Sequence, residues 1–487
     1  LKSHTLTKPS AAAAEHLRIN WINDSAHGHG PVEATFAEET ENPLPAAWMD
    51  TISKLGYPPS ADPFTGTMTG VYANPMTIDS VNRERTDSVT AYYRHAQSRS
   101  NLKVATGAVV QKIIFETRNG KPTATGVQVK LSDGTTATYT AKKEVILAAG
   151  AVGSPKVLEL SGVGDKKLLT KYGIPVVYDN RNVGENLQDH VNTGFSYEVI
   201  DGVETLDPIA RGEPEALAAA QEAYATNKSG PFSVGGNYIG SLLPLPDFTE
   251  GPEAKKTLKK VIDQSSAGPS TNTSPFAPYH AKFVHKILGD KHESSVNSFG
   301  YAAYGEFIAR PDGNTGVNAS EGHNFFTLVV APAYPLSLGS THIASADPEV
   351  GSTIDPRYLT HPLDQEVMAR HLRYLGKIAE SEPLSKLFKP GGERNYGAPE
   401  DLNDLEALKA YARKGALTNY HLTSSCAMLP LERGGVVDPQ LSVYGVKGVR
   451  VVDSSVIPLS AKGNPQSTVY AVAEKAADII KKSYGLA

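Results

Sequence analysis

The stretch AAGAVGSPKVLELSGVG, residues 148–164, decides the reading of the fold. It continues the apolar run EVILAAG (144–150) and then takes up helical spacing, with Val157, Leu158 and Leu160 apolar and Gly162 placed to stop the helix. The order is strand, glycine turn, helix, the arrangement of an α/β unit.

Upstream, VVQKIIFE (109–116), GVQVKLSDG (126–134) and TATYT (136–140) read as short strands, with the turn signals RNGKPT and SDG between them. Residues 101–190 are therefore expected to form a β-meander that feeds one buried strand. The first hundred residues read as loops with scattered helices, AAAAEHLRIN (11–20) and AAWMDTISKLG (46–56), a covering region and not an independent domain. Downstream, 191–419 mixes the strands NTGFSYEVI and FFTLVVAPA, the helical EPEALAAAQEAYA and long Ser/Pro/Gly loops, as expected of a domain shaped around a pocket. The last segment, 420–487, holds a buried strand in VKGVRVVDSS and the amphipathic helix TVYAVAEKAADIIKKSYG.

Composition narrows the function. A formal charge of -5 over 487 residues, with no long Lys/Arg run, provides no basic field for nucleic acid or an anionic membrane. No apolar stretch approaches the roughly 18 residues of a membrane span, and LKSHTLTKPS lacks the pattern of a signal peptide. The single cysteine, Cys426, excludes an internal disulfide and any multi-cysteine metal site; it reads as a small buried hydrophobe. Sequons at Asn23, Asn227, Asn272 and Asn318 lie in polar or turn-rich sequence and suit a secreted glycoprotein. The His27-x-His29 pair sits in a glycine-rich loop with no further ligand in view and reads as solvated; no metal is expected.

Several blocks in one order carry a resemblance. Gly150-Ala151-x-x-Ser154-Pro155-x-Val157-Leu158-x-x-Ser161-Gly162-Val163-Gly164 is followed by VGENLQDH (183–190). PLSLGSTHIASADPEVGSTIDPRYL (335–359), NYHLTSSCAM (419–428), GGVVDPQLSVYGVKGVRVVDSSVIP (434–458) and GNPQSTVYAVAEKAADII (463–480) come next. Together they resemble the glucose-methanol-choline (GMC) oxidoreductases, flavoenzymes that mostly oxidise alcohols. The resemblance runs from Asn101 to Gly485 and matches more loosely before it, through HGHGPV (27–32) and RTDSVTAYY (85–93). It implies an α/β (α+β overall) architecture: a Rossmann-like FAD-binding domain, incomplete in this chain, and a second, substrate domain built on an antiparallel sheet. Two departures stand out, Leu338 where an arginine is common and Ser424-Ser425 in place of a usual Gly-Thr pair.

One expected feature has no counterpart. Gly28-x-Gly30 is followed by Glu33 and Gly162-x-Gly164 by Lys167, so no G-x-G-x-x-G occurs. A nucleotide pyrophosphate needs close-approaching backbone N–H groups at a helix start. The expectation is that this loop belongs to a separate N-terminal polypeptide of the same precursor, cut at a surface loop and retained by packing; the alternative is that these residues are a piece of a longer chain that carries it.

The resemblance also assigns residues. His421 is the base that takes the hydroxyl proton, a duty suited to an imidazole that titrates near neutrality. Asn464 is its partner across the substrate oxygen, orienting without titrating; by itself Asn464-Pro465 is only a turn initiator. The FAD contacts implied are Val110, otherwise a strand valine; Asp453 and Ser454, the latter equally readable as a helix cap; and Asn464, Pro465 and Gln466 at the start of the last helix, whose dipole favours reduced, anionic flavin. The expected activity is oxidation of a primary or secondary alcohol by an oxidase or dehydrogenase. A non-redox lyase or cyclase that keeps FAD structurally is the alternative, and an inactive binding subunit a further one. A serine hydrolase is disfavoured by the lack of a G-x-S-x-G elbow. The aromatics Tyr224, Phe232, Tyr238, Phe307, Phe325 and Tyr334 suit a pocket for bulky alcohols and suit a core equally.

Overall fold

The computed structural model describes residues 3–66, 69–236, 238–246, 251–266, 274–313 and 322–486. Two hydrophobic cores organise them. The larger lies on an antiparallel sheet of six strands, in the order Leu417–Thr418, Val191–Glu198, Phe325–Pro332, Val296–Tyr301, Ile239–Leu243, Gly70–Ala73. Side chains alternate along a strand. Register pairs Phe195 with Leu328 and Thr193 with Val330, so Val191, Phe195, Leu328 and Val330 share one face and meet the helices Pro43–Lys54 and Pro362–Ala379. Trp48 is fully buried there, edge-on to Phe326. Each such side chain contributes roughly 1.5–3 kcal/mol of burial. The same alternation gives the opposite face Asn192, Ser196, Thr327 and Asn297, a polar row interrupted by Gly194, Val329 and Phe299, whose end at Asn192 lies beside the candidate site.

The smaller core joins the meander, Val109–Arg118, Lys121–Lys130 and Thr136–Thr140, to a parallel pair, Val145–Leu147 with Val449–Val451. The helices Gly150–Leu160 and Gln466–Ser483 pack on it through Val157, Leu158 and Ala476. A buried ion pair, Arg450 Nε to Glu144 at 2.7 Å, fastens the parallel pair. The molecule is thus mixed α/β, with the antiparallel sheet expected and no closed barrel among the described residues.

The structure corrects the sequence reading in three places. The strand at 144–150 is not a buried one: only Val145–Leu147 pair, and Ile146 is 45% exposed, because among the described residues nothing lies against that face. Part of the first hundred residues does not cover the cofactor domain: Gly70–Ala73 is the sixth strand of the large sheet, and Phe36, Trp48 and Met49 belong to its core. His27 is not solvated; its side chain is 7% exposed, with Nε2 at 2.7 Å from Asp62 and Nδ1 at 3.0 Å from His4 Nε2. His4 and Asp62, far apart in sequence, hide it.

A largely buried charged cluster ties the helix Gly150–Leu160 to the strand Gly339–His342. His342 contacts Glu159 through Nδ1 at 2.7 Å and Glu185 through Nε2 at 3.1 Å, and Glu159 also accepts from the Ile343 N–H. The carboxylates push the His342 imidazole up to about 9 against the cost of burial. Burial pushes the Glu159 carboxyl up while His342 pulls it down; with both of its oxygens accepting hydrogen bonds, the charged pair is the state the geometry favours. A folded-state value above the ordinary 6.5 means that stability is fully present below about pH 6.5 and is lost as pH rises through about 9. Urea titrations should therefore show stability falling between those values in the wild type and a flatter profile in His342→Gln; equal slopes would contradict the assignment.

Candidate active site

His421 lies in the loop that leaves the strand Leu417–Thr418, at the edge of the large sheet. Asp189 holds that loop: one carboxylate oxygen accepts the His421 N–H at 2.9 Å, and the other accepts the hydroxyls of Thr418, at 2.6 Å, and of Tyr358. The Tyr420 backbone is left-handed (φ 58°) and its side chain 87% exposed. A bulky residue in that conformation is strained and persists only where its surroundings over-determine it, as Asp189 does here.

The His421 ring meets a second histidine. Its Nδ1 is 2.8 Å from Nδ1 of His190, the rings edge-on with centroids 5.0 Å apart. His190 Nε2 lies 3.1 Å from the carbonyl oxygen of Ala333, just past the strand Phe325–Pro332. Asn419 places its amide 3.4 Å from His421 Nδ1 and accepts from Asn192 of the polar row. Burial, with His190 adding to it, pushes the His421 imidazole down to about 3. The ring is neutral at physiological pH. His190 and Asp189 were in view in VGENLQDH but escaped notice, since a motif marks family and does not reveal what its side chains face.

The rest of the loop explains the Ser424-Ser425 departure. Pro155 lies inside the helix Gly150–Leu160 and cannot donate to the carbonyl of Ala151, four residues back. The Ser425 hydroxyl donates to that carbonyl at 2.5 Å. Ser424 is fully buried with φ 76°, a conformation glycine takes without cost, and its hydroxyl donates to the Ile457 carbonyl at 2.7 Å. Ser424→Ala keeps the strain and orphans that carbonyl, so it should destabilise by about 1–3 kcal/mol. Ser424→Gly removes strain and bond together and should lie within about 1 kcal/mol of wild type. Thermal unfolding of the two variants checks the order; Ala equal to Gly would contradict it.

The implied cofactor residues fall into two groups. Asp453 turns inward: it accepts from the Gly150 N–H (3.0 Å), the Ser154 hydroxyl (2.5 Å), and the Ser455 N–H (2.8 Å) and hydroxyl (2.5 Å). Its carboxylate thus satisfies the first N–H of the helix that starts at Gly150. Asp453 is also the N-cap of the turn Ser454–Val456, a position for which Ser454 had seemed eligible; the Ser454 carbonyl accepts the Ser424 N–H instead. Asn464 stands at the surface, and Pro465 and Gln466 are half-buried. Asn464 is exposed and makes no hydrogen bond among the described residues, and Pro465 starts the 18-residue helix Gln466–Ser483 with no side-chain cap. That helix start offers unpaired N–H donors at its positive end, a fit for the electron-rich edge of a flavin. Val110 is 39% exposed on the outer strand of the meander, where it pairs with Val129 just before a register shift.

Two loops link Asn464 to His421. Ser460 bonds Thr423, two residues past His421, hydroxyl to hydroxyl at 3.0 Å, and its N–H donates to Gln188 at 3.1 Å. The segments that carry the two side chains share one hydrogen-bonded layer. A cavity of about 920 Å³ between Lys166, Arg181 and Glu432 contains none of the site residues. Of the aromatics, Phe325 is core, Phe232 is 42% exposed, and Tyr224 bonds the backbone of Asn82 at the surface. Cys426 is fully buried, and burial holds its thiol well above the usual range.

Comparison with known proteins gives a consistent answer. Two family models described as GMC oxidoreductase match, one over residues 8–192 and the other over 335–473. Dehydrogenase mpl7 of Monascus purpureus is 31% identical over 98% of this chain, which spans 75% of that protein. The FAD-dependent oxidoreductase of Chaetomium thermophilum superposes with a TM-score of 0.85 at 29% identity, over 100% of this chain and 80% of that one. An R554A variant of Aspergillus oryzae formate oxidase does so at 0.80 and 25%, over 99% and 77%. On sequence blocks, fold and relatives alike, this chain belongs to the GMC oxidoreductase family.

Proposed function

We propose that this chain, with FAD, oxidises a primary or secondary alcohol to the carbonyl compound, His421 taking the hydroxyl proton. FAD, when bound, supplies the acceptor for the hydride that leaves carbon. The open start of the helix at Gln466, with Asn464 and Pro465, and the backbone at Val110 are the groups of this chain that would hold it. Asn464 offers an amide N–H to the substrate oxygen as negative charge develops there.

The observation that carries the reading is a largely buried imidazole, braced through its backbone by Asp189 and through its ring by His190, at the edge of the large sheet; burial and His190 push its pKa down to about 3. A base this weak cannot hold a free alkoxide. The proton leaves as the C–H bond breaks, when the oxygen is becoming that of a carbonyl and its acidity rises. Deuterium in the hydroxyl and deuterium on carbon should therefore both slow the same step; an effect from carbon alone would contradict this.

The test is anaerobic mixing of the flavin-loaded protein with a panel of alcohols, formate included because of the formate oxidase likeness. Bleaching of the flavin by an alcohol is expected. Turnover with the flavin spectrum unchanged would sink the reading in favour of non-redox chemistry. The uncovered face at Ile146 is, on this reading, the seat of the glycine-loop polypeptide, which denaturing mass analysis of active material should reveal. Secretion rests on the sequons: Asn23 and Asn227 are exposed, whereas Asn272 and Asn318 lie outside the described residues. A mobility shift on glycosidase treatment tests it.

A further inference from the structure

We propose that His190 is the positioning residue that sets the tautomer of His421 and leaves Nε2 of His421 as the nitrogen that takes the substrate's proton; this rests on the reading of His421 as the base. The Ala333 oxygen can only accept, and it lies 3.1 Å from His190 Nε2, so that nitrogen carries the hydrogen. The carbonyl is itself well fixed, since the Ala333 N–H donates to Ser295 O at 2.9 Å.

His190 is 3% exposed, and burial disfavours its charged form, although the carbonyls of Ala333 and Ala461 and the charge of Asp189 pull the other way. A neutral imidazole has one N–H. With Nε2 protonated, His190 Nδ1 presents a bare lone pair to His421 Nδ1 at 2.8 Å. Two lone pairs do not attract at that distance, so His421 donates from Nδ1 and its Nε2 is the unprotonated nitrogen. Among the described residues nothing hydrogen-bonds His421 Nε2.

One neighbour argues the other way. The Asn419 amide, held by Asn192 at 3.2 Å, would favour a bare Nδ1 if it donated to His421. Its 3.4 Å separation is weak against 2.8 Å, so the shorter contact decides. When Nε2 accepts the hydroxyl proton, the His421 ring becomes cationic and its Nδ1–H bond to His190 becomes charge-assisted, roughly twice as strong as a neutral one. The relay thus tightens as the reaction proceeds, and no proton needs to leave Nδ1.

Two variants of the flavin-loaded protein test this. In His190→Gln the side-chain amide can still accept from His421 and donate to Ala333; in His190→Met it can do neither. We expect Met to slow anaerobic flavin reduction by about 10- to 100-fold with substrate affinity changed less than about threefold, and Gln to restore most of the rate. A readout independent of activity is ¹⁵N-histidine NMR, with the His421 signals identified by their loss in His421→Ala. The wild type should show a protonated Nδ1 and an unprotonated Nε2 at His421, and this settles the matter even if Met fails to fold. Reduction at full rate in His190→Met, or a proton on His421 Nε2, would overturn the proposal. Full-rate reduction in His421→Ala would instead remove the base assignment, whichever tautomer the spectrum shows.

Discussion

His421→Ala should slow flavin reduction by about 10²- to 10⁴-fold while flavin stays bound, the range that positioned proton transfer supplies. The expectation follows from where the ring is held. Asp189 grips the backbone of residue 421, not its side chain, so removing the imidazole leaves the loop in place. The pH profile separates this histidine from an ordinary one. With its value pushed down to about 3, the His421 imidazole is unprotonated across the working range. Its contribution to the reduction rate should therefore be flat from about pH 8 to about pH 5, where an unperturbed histidine would already have been lost through 6.5. Stopped-flow reduction over that range is the check. A fall with a midpoint near 6.5 that vanishes in the Ala variant would show an unshifted base.

Asp453→Ala should abolish flavin retention and cost about 3 kcal/mol or more of stability. The carboxylate is 8% exposed and collects four hydrogen bonds, from the start of the helix at Gly150 and from the turn after the strand Val449–Val451. Truncation strands those donors in a buried place, each at roughly 1–3 kcal/mol if it finds no substitute. It also uncouples the parallel strand pair from the helix that follows it. Asp453→Asn keeps the shape but replaces one acceptor oxygen by a donor, and should fall between Ala and wild type. Thermal unfolding and flavin-to-protein ratio are the measurements. A full flavin complement with an unchanged melting temperature in the Ala variant would show that the cap is dispensable.

Much of this was legible in the chain. The meander at 109–140 announced itself by alternation and by turn residues, and the helix at 150–160 by its spacing and by Gly162, which takes φ 85° where an added Cβ would meet the Pro175 carbonyl at 2.3 Å. Both signals are local. The strands Ile239–Leu243 and Val296–Tyr301 were missed, because NYIGSLLPLP and SVNSFGY carry glycine, serine and proline and their burial comes from the sheet around them. Gly70–Ala73 was missed for the same reason: four residues have no period of their own. His27 read as solvated because nothing nearby in sequence foretells a buried Asp62, and the strand at Val145 read as buried because composition does not say which neighbours are present.

The sequence by itself determined the family blocks and the mixed α/β fold class, and it singled out His421 as the base proposed here, since these rest on residue type and order along the chain. Only the tertiary structure decided what that histidine faces. Asp189 and His190 reach His421 from a segment more than 200 residues upstream, Ala333 braces His190 from a third, and the proton on the ring is assigned by that carbonyl, 88 residues from His421 in sequence. Hydrogen-bond direction is a property of atoms within about 3 Å of one another, and no pattern along the chain encodes which atoms those will be.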